Sequence, residues 1–241
     1  MRAAAVTYSD RLQDFICTQE TSRSTRKPGS DAWKRVDVQE QEVAYFAHQW
    51  HYTLLSVNGK SVDSDKRIKK GLSSSGEFGG TLQGIFDPKV NAEFSWDHDE
   101  VEEGEHVCIF RYRVSQETST VSILVDSHWT PVAHHGYVYA ACDSGAVLRI
   151  HTETEPQASQ GSHQLSTMSD DVRYAPTSIR TETRLLPISA ETTMVFKNVI
   201  AKSEIQFRNY HRFQTESKIT VAPDAESTAA PSEQQKQTIP R

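Results

Sequence analysis

Apolar residues recur along this chain in two rhythms. Over most of its length they alternate with polar ones, the period of a strand with one buried face. Trp50, Tyr52 and Leu54 alternate, with Leu55 and Val57 on the other face, ahead of the tight-turn pair Asn58-Gly59. Phe94 and Trp96 share one face of 92–97. Cys108, Phe110, Tyr112 and Val114 share one face of 107–114, with Arg111 and Arg113 opposite. A strand at 121–125 follows, then a hairpin of 137–142 with 147–151 across Asp143-Ser144-Gly145. Further strands are expected at 171–174, 180–186, 192–197, 204–212 and 216–221. The stretch 36–42 is charged on both faces, which predicts a sheet edge or a solvated ribbon. Roughly ten strands with short connections predict an antiparallel meander, because parallel pairing needs long crossovers.

The second rhythm is helical and falls in two places. In 74–86, Phe78, Leu82, Ile85 and Phe86 form one helix face, Ser74 and Glu77 have capping-box spacing, and Pro88 follows. Gly79, Gly80 and Gly84 lie off that stripe. In 4–22, Tyr8, Leu12, Phe15 and Ile16 repeat the spacing, and Lys27-Pro28-Gly29 ends the run. An oily helix among strands needs a sheet face to lie on. The expected fold is therefore mainly β (α+β). It is a single curved antiparallel sheet with an N-terminal helix and a mid-chain helix on its concave face. A helix weakened by glycines is ordered by the contact beneath it, so an apolar ligand can compete for that contact. The alternative is a permanently packed core helix.

Composition adds limits. The chain has 241 residues, net charge −6 and pI about 5.9, with no basic surplus to favour nucleic acid. Mean hydropathy is −0.60, and no apolar run reaches the roughly 18 residues of a membrane span. Residues 1–221 read as one domain. Residues 222–241, nearly devoid of apolar side chains, read as a disordered tail. The Ser/Gln/Gly-rich stretch 154–170 reads as a loop, as does the basic stretch 60–72. Met1-Arg2-Ala3-Ala4-Ala5 fits a removed signal and a cytosolic start equally. Cys17, Cys108 and Cys142 are too few and too spread for a zinc site. They are buried thiols, or one disulfide and one thiol if the compartment is oxidising.

No catalytic signature stands out. His48 and His51 on a strand point to opposite faces, and adjacent His134 and His135 do the same. No nucleophile elbow, phosphate loop or dinucleotide fingerprint occurs. Neither metal nor cofactor is expected, and the chain is read as a non-enzyme. A hydrolase built from histidine and carboxylate at the sheet's rim is the third-ranked alternative.

Several segments together resemble a known group. They are Phe15 to Thr21, Gly76-Glu77-Phe78-Gly79 with Ile85-Phe86, Phe110 to Val114, and Gly136 to Tyr139 with Gly145 to Ile150. Arg184-Leu185-Leu186-Pro187 and Asn209 to Phe213 with Glu216-Ser217 complete the set. The pattern is similar to secreted bacterial proteins of the LolA/LolB/RseB superfamily of lipoprotein-localisation factors. That resemblance implies a half-barrel lidded by helices, a location in the periplasm or outside the cell, and a lipid or lipoprotein acyl chain as partner. Carriers of this kind keep an arginine beneath the lid. It has no residue-by-residue match here, and Arg111 and Arg113 are the candidates. The expected function is non-catalytic binding of an acyl chain, lipid or lipidated peptide. The stripe Phe78, Leu82, Ile85, Phe86 and the sheet residues Phe94, Trp96, Phe110 and Tyr112 would line the site. The alternative is an interaction or envelope-sensing domain with a filled core, using the edge at 36–42.

Overall fold

The computed structural model describes residues 14–46, 49–62, 80–102, 104–125, 128–156, 165–179 and 182–212. The chain runs β1 (Phe15–Arg26), β2 (Lys34–Phe46), β3 (Gln49–Val57) and β4 (Lys60–Ser61). Helix α1 (Gly80–Phe86) and a 3-10 turn (Pro88–Val90) lead into β5 (Glu93–Glu102) and β6 (Glu105–Val114). Then come β7 (Ser122–Val125), β8 (His128–Pro131), β9 (His134–Ala141), β10 (Val147–Thr154), β11 (Leu165–Ile179), β12 (Glu182–Phe196) and β13 (Ile200–Arg212). Eleven strands form one open antiparallel sheet in the order β4-β3-β2-β1-β13-β12-β11-β10-β9-β6-β5, and β7 and β8 pair separately. The first strand docks on the last, so the two halves of the chain are joined through β1 and β13.

Local turn chemistry placed the hairpins correctly. Asn58 and Gly59 both take positive φ (51° and 72°), the conformation a two-residue hairpin turn demands. Gly104 and Gly145 do the same after β5 and β9.

Four expectations are corrected. Residues 15–22 are not the end of an N-terminal helix but strand β1, with Phe15, Cys17, Gln19 and Thr21 turned inward. Tyr8 and Leu12 lie outside the described residues. The stretch 36–42 is not an edge: β2 pairs with β1 along its length and with β3 from Gln39 onward. Residues 165–170, expected in a loop, belong to β11. The two strands expected on either side of Pro187 are one strand, β12. Pro187 is tolerated there because the β11–β12 register shifts between Arg173 and Tyr174, a bulge, where proline is allowed. The expected strand at 216–221 and the tail 222–241 lie outside the described residues.

One face of the sheet carries the core. Phe15, Val43, Val114, Val138, Ile150, Val172, Leu186 and Ile205 are all buried there. Leu82, Ile85 and Phe86 of α1 join the same cluster. We call this the inner face.

Cys108 and Cys142 form a disulfide that closes a span of 34 residues. Cys17 is a buried free thiol, which burial pushes up to about 12. Replacing Cys108 and Cys142 together by serine is expected to lower stability by about 3 kcal/mol, because the unfolded chain regains the entropy of that loop. Urea unfolding without reductant measures it. An unchanged midpoint would mean that the bridge is not formed.

Candidate functional site

The strand registers divide the sheet into rows of side chains that alternate between the two faces. One inner row runs Trp96, Phe110, Val138, Ile150, Val172, Ala190, Ile205 across seven strands. The next runs Phe94, Tyr112, Gly136, Thr152, Asp170, Thr192, Ser203, and continues to Arg23 and Asp37. The first row is apolar. The second starts aromatic and becomes polar.

The aromatic end meets α1. Phe86 stacks on Phe94 with ring centroids 5.3 Å apart and planes 11° from parallel. Phe94 lies 6.3 Å from Tyr112, which packs edge-on to His134 at 6.1 Å. The Tyr112 hydroxyl donates to Thr152 Oγ1 at 2.6 Å. Gly136 stands between these two in the row, and its missing side chain lets Tyr112 reach across. Burial pushes the Tyr112 phenol up, so it stays a proton donor.

The residues expected to line the site are placed as follows. Leu82, Ile85 and Phe86 are 2%, 2% and 0% exposed. Phe94 is partly buried against the same cluster, and Tyr112 is within it. Phe110 is half-buried. Trp96 shares their face but is 63% exposed on the edge strand β5, its indole N–H donating to Asp99 Oδ1 at 3.0 Å. Phe78 lies outside the described residues. Gly84, expected off the buried stripe, is itself buried, and a Cβ there would lie 3.2 Å from Thr120 Oγ1.

Arg111 and Arg113 cannot sit beneath a lid. Both point to the outer face, where Arg111 pairs with Asp97 and Arg113 with Glu155. The buried inner-face arginine is Arg23, gripping Asp37 with Nε to Oδ1 at 2.7 Å and Nη2 to Oδ2 at 2.5 Å. That pairing holds the Asp37 carboxyl below its usual range. Gln19, also buried on this face, donates to Thr21 Oγ1 at 3.1 Å, and its Oε1 has no partner among the described residues. A second aromatic group sits on β1–β3 and β13: Phe15 lies within 6.1 Å of Tyr45, Trp50 and Tyr210, by ring centroids. Sequence reasoning missed it because Phe15 was assigned to a helix.

The outer face is largely polar, although Val107 and Ile109, on the same side of β6 as Arg111 and Arg113, are buried. It carries a groove of about 430 Å³ beside Arg111, Arg113, Tyr137 and Glu155. Another of about 440 Å³ runs beside Arg149, Asp171, Glu191 and Glu204. Among the described residues no helix is long and apolar enough to cross a membrane.

No family model matches the chain, and no curated protein matches it. Solved structures do. A LolA superfamily protein from Nitrosomonas europaea is 10% identical, with TM-score 0.40, over 90% of this chain and 96% of that one. A domain assigned provisionally to outer membrane lipoprotein sorting, from Vibrio parahaemolyticus, is 14% identical, with TM-score 0.42, over 89% and 92%. A DUF1329 family protein from Desulfovibrio piger is 9% identical, with TM-score 0.37, over 89% and 92%. These neighbours include the superfamily that the sequence segments resemble.

Proposed function

We propose that this chain is a non-catalytic binding protein of the periplasm or of a secreted compartment. Its ligand is apolar: an acyl chain, a lipid or a lipidated peptide held between α1 and the inner face. The observation that carries this reading is the state of α1. Its described part, Gly80–Phe86, packs its apolar side chains into the sheet's core, and helices in proteins owe their order chiefly to such packing of one face. Its order therefore rests on burying Leu82, Ile85 and Phe86, each worth roughly 1.5–3 kcal/mol. A ligand presenting comparable apolar surface competes for the same contact. The Phe86–Phe94–Tyr112 stack is the wall such a ligand meets. Phe110 and Trp96 extend the wall toward the open side of the sheet. The disulfide suits an oxidising compartment.

Replacing Leu82 by aspartate tests the reading. The variant is expected to keep its sheet, judged by far-ultraviolet circular dichroism, and to bind a fluorescent fatty acid at least tenfold more weakly than the parent. Unchanged probe affinity in a folded variant counts against the site.

One observation favours a second reading, an interaction or sensing domain. On β5, which forms one edge of the sheet, Trp96 and Val101 are 63% and 71% exposed. An added strand from a protein partner would cover them.

A further inference from the structure

We propose that His134 Nε2 is the polar anchor of the inner-face site. It accepts a hydrogen bond from an uncharged donor beside the ligand's apolar chain, a hydroxyl or an amide N–H. The inference rests on the apolar-ligand reading above and narrows it. A bare hydrocarbon leaves this nitrogen unpaired, and an ionised carboxylate, which only accepts, binds through its chain alone.

His134 opens β9, in register with Val114 on β6 and Thr154 on β10, and shares the inner face with Gly136 and Val138. It is 1% exposed. Tyr112, the last ring of the Phe86–Phe94–Tyr112 stack, packs against it edge-on. Ser119 contacts the imidazole, and the next residue, Thr120, lies against Gly84 of α1. A ligand that takes the place of α1 therefore arrives beside this ring.

The neighbours fix which nitrogen carries the proton. Nδ1 lies 3.2 Å from Ser119 Oγ and 3.4 Å from the Val132 carbonyl oxygen. The Ser119 hydroxyl gives its own proton to the Val121 carbonyl, so toward His134 it accepts. Nδ1 is thus the N–H, and Nε2 holds a lone pair. Burial, the largest influence on this group, disfavours a second proton, so the ring stays neutral. Nε2 is buried and has no partner among the described residues. Two nearby hydroxyls direct their protons elsewhere: Tyr112 donates to Thr152, and Thr154 to the Met168 carbonyl. A buried acceptor left unpaired is costly, and native proteins keep few of them. Here it stands at the aromatic end of the site, where a ligand's donor satisfies it. A site built around such a group discriminates against analogues that lack the matching donor.

The test compares dodecanol with dodecyl methyl ether, which has the same chain but no donor. Each competes with the fluorescent fatty acid for the full chain. The parent is expected to bind the alcohol about tenfold more tightly than the ether. His134→Leu should abolish this preference. Gln19→Leu, which removes another buried acceptor without a partner, on β1, should keep it. In the parent, the Nε2 nitrogen NMR signal of His134 should move on adding the alcohol and stay in place on adding the ether. That measurement tests the contact even where a variant does not fold. Equal binding of alcohol and ether by the parent overturns the proposal while the apolar site stands, and means that an internal water already pairs Nε2. A preference that survives in folded His134→Leu overturns it too, placing the donor contact elsewhere. If neither competitor nor the fatty acid binds, the apolar-ligand reading falls and takes the proposal with it.

Discussion

Replacing Gly136 by alanine is expected to unfold much of this protein, at a cost of about 4 kcal/mol or more. A Cβ built on Gly136 would stand 1.8 Å from the His151 carbonyl oxygen and 2.8 Å from its carbon. Both are backbone atoms of the neighbouring strand, so no side-chain rotation relieves the clash. Strands β9 and β10 must move apart, in the middle of a continuous sheet. Their separation breaks ladder hydrogen bonds and also the span from Tyr112 to Thr152 across the glycine. Ordinary overpacking of a core costs about 1–3 kcal/mol. A backbone clash at the joint of two central strands belongs to the small set of larger effects. Gly80→Ala is the control. Its Cβ would meet nothing within 4 Å among the described residues, and alanine in place of a helical glycine should be neutral or stabilising by up to about 1 kcal/mol. Urea unfolding compares the two. A Gly136→Ala midpoint close to that of the parent would show that the two strands are not held as described.

What could be read from the residues alone follows from how local each signal is. The hairpins at Asn58-Gly59 and at Gly145 were legible because positive φ is written into one or two residues. The stripe Leu82, Ile85, Phe86 was legible because a helix repeats over a few residues and buries one side. Strand β1 was not. Its inner residues after Phe15 and Cys17 are Gln19, Thr21 and Arg23, all buried but polar, so hydropathy shows no alternation. What remained visible was the accidental helical spacing of Tyr8, Leu12, Phe15 and Ile16. The charges of β2 misled for a related reason: Asp37 is answered by Arg23 from another strand, so a charged residue there does not mean an edge. Pro187 reads as a break until the bulge that accepts it is seen. Register is the least local quantity of all. It decides that Phe94 meets the helix, and it brings His134 to Thr154.

The two faces thus have different chemistry for one physical reason. The inner face excludes water, so its polar groups survive only by pairing with one another. Most of the outer face is wet, so its exposed ion pairs, such as Arg113 with Glu155, contribute little to stability.

The inner polar row makes the second large prediction. Arg23→Met is expected to lower stability at pH 7 by about 3 kcal/mol. It strands the Asp37 carboxylate, whose side chain is 13% exposed, without the guanidinium that holds it. Breaking a buried pair by removing one partner costs roughly 3–5 kcal/mol, and the lower end applies because Asp37 keeps some contact with water. Asp37 is held below its usual range chiefly by its hydrogen bond to Arg23, against a burial effect that pushes it up. In the parent, therefore, Asp37 contributes stability above its unfolded-state value near 4, and that contribution is lost as pH falls through the lower folded value. In Arg23→Met the upward push of burial outweighs the one remaining downward influence, a hydrogen bond from Gln39, and the sign reverses. The variant recovers as Asp37 takes up a proton, so the stability gap to the parent narrows between pH 7 and pH 4.5. Replacing both residues, as Arg23→Met/Asp37→Leu, removes the stranded charge and should restore most of the loss at pH 7. Urea unfolding of the three proteins at the two pH values reads all of this. A gap that stays constant with pH, or a double variant as unstable as the single, would show that the pair is not what holds this end of the inner face.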